Sequence, residues 1–134
     1  MAADDVYDNI KARVALAPAT ARLNGSVNGA AVDRKEGRVF FRSAMFVVNA
    51  GTVTDGTHTV NVQESGNGSV WTDVDADDLM GTEVVVGTAN DDQVHEIGYR
   101  GNARYIRLQL VTAGATTGGL IDAVCLLGIQ DVPR

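Results

Sequence analysis

A chain of 134 residues fits one domain and can bury a core without needing a disulfide or a metal. Its 45% hydrophobic content is too high for a disordered chain, and a net charge of −6 with no basic run argues against binding to phosphate backbones. No apolar stretch approaches the roughly 20 residues that span a bilayer, so neither nucleic acid nor membrane is an expected partner.

The first 21 residues differ from the rest. They are rich in alanine and place Val6, Ile10 and Val14 four apart, which allows a short helix with one apolar stripe that Pro18 would end. We read residues 1–21 as an N-terminal arm, extended or a short helix, that either frays or orders on a partner. The opening Asp4 and Asp5 are not the start of a signal peptide, so synthesis in the cytoplasm is expected.

Residues 22–134 read as a single all-β domain. Asn24-Gly25 and Asn28-Gly29 are turn signals. Residues 39–48 are apolar but for Arg42 and Ser43, and Ala44 to Val48 predict a buried strand. After the Asp55-Gly56 turn, His58, Val60 and Val62 alternate with Thr57, Thr59, Asn61 and Gln63, the period of a half-buried strand. Residues 65–69 form a tight loop, and residues 70–74 a short strand holding Trp71, the only tryptophan, which we assign to the core.

Further strands are predicted over 83–86 and 94–99. The clearest covers 104–111, where Ile106, Leu108 and Leu110 face one way and Tyr105, Arg107 and Gln109 the other. Residues 114–119 are a Thr- and Gly-rich loop, and 120–127 a last apolar strand. About seven to nine strands separated by turns predict an antiparallel β-sandwich or jelly roll.

Signals for catalysis are weak. Cys125, the only cysteine, sits in the apolar run 123–127 and reads as a small buried hydrophobe. No G-x-S-x-G elbow or Walker loop occurs, and Gly66-Asn67-Gly68 reads as a hairpin tip. The run Asp73 to Asp78 begins like a calcium loop, but Asp78 stands where glycine is needed and Val84 where a bidentate Glu is needed. His58 and His95 lack zinc spacing and read as surface or satisfied core residues. No enzyme activity, cofactor or metal is expected.

Several segments in order resemble a known group. They are TDGTHTV from Thr54, VQES from Val62, GSVWTDV from Gly68, IGYRG from Ile97, RYIR from Arg104 and GATTGG from Gly114. Together they resemble small proteins encoded among the head genes of tailed bacteriophages, taken to be capsid decoration, or cement, proteins. A weaker resemblance is to discoidin-like carbohydrate-binding modules, carried by Gly66-Asn67-Gly68 before Ser69 and Trp71 and by the strand from Arg104 to Leu108.

The first resemblance implies a structural virion protein on the outer capsid surface that stabilises the expanded shell by bridging major capsid protein subunits, with trimers one arrangement of such proteins. Expected contacts are the arm around Tyr7, Ile10, Lys11 and Arg13, the arginines Arg100, Arg104 and Arg107, and the loop with Thr116 and Thr117. A head–tail joining or tail-terminator protein is the alternative of the same class. The second resemblance implies a glycan-binding module with an exposed Trp71.

Overall fold

The computed structural model describes residues 6–18 and 20–130; residues 1–5, 19 and 131–134, including the outer ends of the two expected segments, lie outside it. A single helical turn, α1 (Val6–Asn9), leads into β1 (Ile10–Leu16). Then follow β2 (Gly25–Asn28), β3 (Val32–Asp33), β4 (Lys35–Glu36), β5 (Val39–Val53), β6 (Thr57–Ser65) and β7 (Thr72–Asp73). After a 3-10 turn at Ala76–Asp78 come β8 (Leu79–Met80), β9 (Val84–Val86), β10 (Gln93–Tyr99), β11 (Tyr105–Ala113) and β12 (Gly119–Gln130).

These strands make a two-sheet antiparallel β-sandwich. One sheet runs β1-β12-β5-β10-β8, with β4 also on β5; the other runs β2-β11-β6-β7, with β3 on β11 and β9 on β6. The described strands number twelve rather than seven to nine, because four of them are two-residue pairings that no sequence period marks.

The alternating segments set the core. Ile106, Leu108 and Leu110 of β11 face Val60 and Val62 of β6 from neighbouring strands of one sheet. Phe46, Val48, Ile97, Ile121, Ala123, Cys125 and Leu127 supply the inner face of the other. Burial of a fully covered Leu, Ile or Phe side chain stabilises by about 1.5–3 kcal/mol, so this layer dominates the fold. His58 is wholly buried in it, its Nδ1 2.9 Å from Thr112 Oγ1 and its Nε2 3.2 Å from the Asp55 carbonyl. It is a satisfied core histidine.

Two expectations need correction. The helical stripe Val6, Ile10 and Val14 is not one: only Val6–Asn9 are helical, and Ile10–Leu16 pair with β12 from Ile10↔Gly128 to Leu16↔Ala123. A spacing of four is also a multiple of two, so it suits one face of a strand as well as one face of a helix. The sheet therefore begins well before Arg22, and Ala15 and Leu16 are core residues. Trp71, assigned to the core, instead lies at the surface end of the loop before β7, partly exposed, with Arg107 stacked on it.

Candidate functional site

The two outer faces of the sandwich differ in chemistry. Outside β11 and β6, opposed residues share a face, and Arg107↔Gln63 and Gln109↔Asn61 line it. Arg107 Nε donates to Gln63 Oε1 at 2.8 Å, and Gln63 Nε2 donates to Asp73 Oδ1 at 3.0 Å. Gln109 Nε2 donates to Asn28 Oδ1 at 3.2 Å. The Arg107 guanidinium carbon stands 4.3 Å from the centroid of a Trp71 ring. These bonds knit the centre of this face to itself, while the next row holds Val111, Thr59 and the exposed Val85.

Outside the other sheet one row is apolar throughout, and the rows beside it mix apolar with polar residues. One row across it is Ala12, Leu126, Met45, Gly98 and Met80; the next is Val14, Val124, Val47 and Glu96; a third is Asp122, Asn49 and Val94. Val14, Met80, Val94 and Val124 are 55%, 46%, 58% and 40% exposed. Leu120, also exposed, lies over Gly51, and Met80 covers Gly98. A solvated antiparallel sheet face is ordinarily polar, so an apolar row spanning five strands sets this face apart.

The expected contact residues do not form one cluster. Tyr7 is 85% exposed on α1, and Ile10 sits half-buried at the start of β1. Lys11 is exposed on β1, whereas Arg13 pairs with Glu36 and donates to the Ala12 carbonyl. Among the described strands β1 pairs only with β12, and on its other side the Ala15 carbonyl accepts from the Ala30 amide at 2.9 Å.

The arginine trio is spread over different neighbours. Arg104 grips Asp33 with both Nε and Nη2 at 2.9 Å, and this pair holds the Asp33 carboxyl below its ordinary range. Arg107 is on the polar face. Arg100 turns away from both, its Nε donating to the Asp77 carbonyl at 3.2 Å. Thr116 and Thr117 are exposed, but their loop is not loose: the Asp55 carboxylate accepts from the Thr116, Thr117 and Gly118 amides, the last at 2.7 Å. Those amide donors, Gly118 first, hold the Asp55 carboxyl below its ordinary range.

Cys125 is fully buried, and burial pushes its thiol up to about 12, the opposite of what a nucleophile needs. Among the described residues no three His, Cys, Asp or Glu side chains gather as a metal site. Asp73 of the acidic run is held by Gln63, and the Asp78 carbonyl accepts from the Arg100 amide. No helix among the described residues is long and apolar enough to cross a membrane.

The fold has a solved counterpart. It is similar to the crystal structure of the PBSX exported protein XepA, with a TM-score of 0.63 and 17% identity, over 92% of this chain and 39% of that one. This chain thus spans about two fifths of the length of the protein it matches, and the likeness is one of fold. Searches of protein-family models and of curated proteins find no match.

The sequence missed the apolar outer face because its residues are scattered over β1, β5, β8, β10 and β12, and only strand register aligns them. One signal was present: in 123–127 neighbours on both sides of the strand are apolar, which a half-solvated strand does not need.

Proposed function

We propose that this protein is a non-catalytic structural protein of a tailed phage that decorates the expanded capsid, seating the apolar outer face of the β1-β12-β5-β10-β8 sheet on major capsid protein subunits. The contrast between that face and the self-bonded polar face opposite carries the reading.

The fold likeness to an exported PBSX protein and the resemblance of the ordered segments to phage head-gene products support the phage association. The outer capsid surface is then the place of action. The apolar row crosses five strands. Contacts to several shell subunits by one oligomer would raise the effective affinity further, and a trimer suits that purpose. Tyr7 and Ile10 adjoin the band along the β1 side and extend the proposed contact, whereas Lys11 and Arg13, opposite Leu127 and Cys125, lie on the other face of β1.

The test is co-sedimentation of the purified protein with expanded and unexpanded shells of its cognate capsid protein. Saturable binding to expanded shells alone, with greater heat resistance of the decorated shells, is the expected result. Absence of binding to both shells would overturn the proposal. It would redirect the search to the portal and tail, where a joining or terminator protein acts.

A further inference from the structure

The edge of β6 away from β11 is covered in two pieces with a gap between them. There β7 pairs with Gln63 and Glu64, and β9 with His58 to Val60. Neither strand reaches Asn61 and Val62, although the Val62 carbonyl accepts the Val74 amide at 2.9 Å. A cleft of about 190 Å³ opens at this gap and leads between the two sheets. Its floor is the core itself, with Val60, Val62 and Val74 on one side and Ile97 of β10 on the other, all buried.

The mouth has the opposite chemistry. Asp73 and Glu83 are exposed there and Asn61 is half-buried, while Leu79 completes the wall, so no basic residue lines the cleft. The acceptors at the mouth are open. Gln63 Nε2 occupies Asp73 Oδ1 and leaves Oδ2 unengaged, and among the described residues the Glu83 and Asn61 side chains have no partner. Carboxylates at the rim of an apolar cleft, on a chain of net charge −6, favour a cation at the rim and an apolar group behind it.

We propose that this cleft binds an amphipathic amine, its apolar chain on the valine floor and its primary ammonium at the mouth beside Asp73 and Glu83. An apolar cavity of about 150 Å³ accommodates benzene, so the cleft admits a group of about six carbons. The three ammonium donors match the open carboxylate oxygens and the Asn61 side-chain oxygen. An anionic head would meet two carboxylates. A bare metal ion would leave the floor unfilled, and among the described residues no third acidic or histidine ligand joins the pair. A lysine side chain would lead with its charge into the valines. The amine can be a free alkylamine or the N-terminus of a chain that opens on an apolar residue; the chemistry is shared. This site does not depend on the shell-docking face.

Titration followed by methyl NMR at low ionic strength tests it, with hexylammonium, hexanol, hexanoate and ammonium chloride as probes. Saturable binding of hexylammonium, with shifts at the Val62 and Ile97 methyls, is the expected result. Each buried methylene adds about fourfold in affinity, so ammonium alone should not saturate in the same range. Hexanol should bind several-fold more weakly, and hexanoate more weakly still. In Asp73→Asn/Glu83→Gln, hexylammonium should weaken about fivefold, to the level of hexanol. Both positions are exposed, and the new amide still offers Gln63 an oxygen, so the fold is kept, which circular dichroism checks. The ranking of the hexyl probes needs only the wild type. Leu-Gly-Gly and its N-acetyl form separate the sources: tighter binding of the free tripeptide assigns the site to a protein N-terminus, and tighter hexylammonium to a free amine. Failure of hexylammonium to saturate by about 10 mM overturns the proposal. So do shifts confined to the apolar outer face, hexanoate binding as tight as hexylammonium, or an unchanged affinity in the double variant.

Discussion

Asp55 organises a loop from a distance of sixty residues in sequence, and it does so through charge. Its carboxylate accepts three successive amides, and a protonated carboxyl would accept them less well. Asp33 is in a similar position, held low by Arg104. Both folded values lie below the ordinary 3.8, so the stability they contribute is fully present above that pH and is lost as pH falls through the lowered folded values. Acid unfolding followed by circular dichroism should therefore show a descending limb below about pH 4 that is shallower in Asp55→Asn. Amide exchange of Thr116 to Gly118 should quicken in the same variant at neutral pH.

Gly118, at the end of that loop, has φ +86°, and a Cβ there would sit 2.1 Å from the Arg22 carbonyl oxygen. Gly118→Ala should thus destabilise by more than about 1 kcal/mol in urea unfolding, since it combines a forbidden conformation with a clash against backbone. Arg34→Met should cost about 3 kcal/mol or more. It removes the donors of three loop and strand carbonyls at once and leaves those oxygens unpaired.

At the scale of elements, legibility followed periodicity. The β6 and β11 strands were readable because His58, Val60, Val62 and Ile106, Leu108, Leu110 alternate strictly with polar neighbours, and the structure buries those sets. By contrast β1 was ambiguous, because Ile10 and Val14 satisfy helix and strand spacing alike. Trp71 misled for a different reason. Its size suggested burial, but Arg107, the third residue of β11 and 36 residues away in sequence, covers its ring at the surface.

The status of β1 changes how the N-terminal segment should be probed. Leu16 is 3% exposed and Ala15 wholly buried, and the whole strand is hydrogen-bonded to β12. Deleting residues 1–16 should lower the unfolding free energy by about 2 kcal/mol or more, from the loss of Leu16 burial and the ladder. A guanidinium melt of the truncated chain reads this directly. A truncated protein that fails to bind shells would report damage to the sheet as much as loss of a contact, so point changes are the better probe.

At the scale of the molecule, the sandwich is a slab with two unlike sides, and that difference predicts separable effects. Val94 and Val124 stand on the apolar outer face at 58% and 40% exposure, on strands whose inner faces hold the core. Replacing each with Glu leaves that core intact, and exposed substitutions usually shift stability by no more than about 0.5 kcal/mol. The Val94→Glu/Val124→Glu protein should therefore melt close to the wild type. Its seated face, however, would place two carboxylates in a desolvated apolar contact, an arrangement that costs far more than the side chains' own burial. Binding to expanded shells should fall at least a hundredfold, while Gln109→Glu on the polar face should leave it unchanged. Sedimentation velocity on the same proteins separates the occupants of the band. A wild-type oligomer that the valine changes dissolve, with shell binding retained, would assign the band to contacts between copies and move the shell contact elsewhere on the slab. Loss of shell binding with the oligomer intact would place the shell on it.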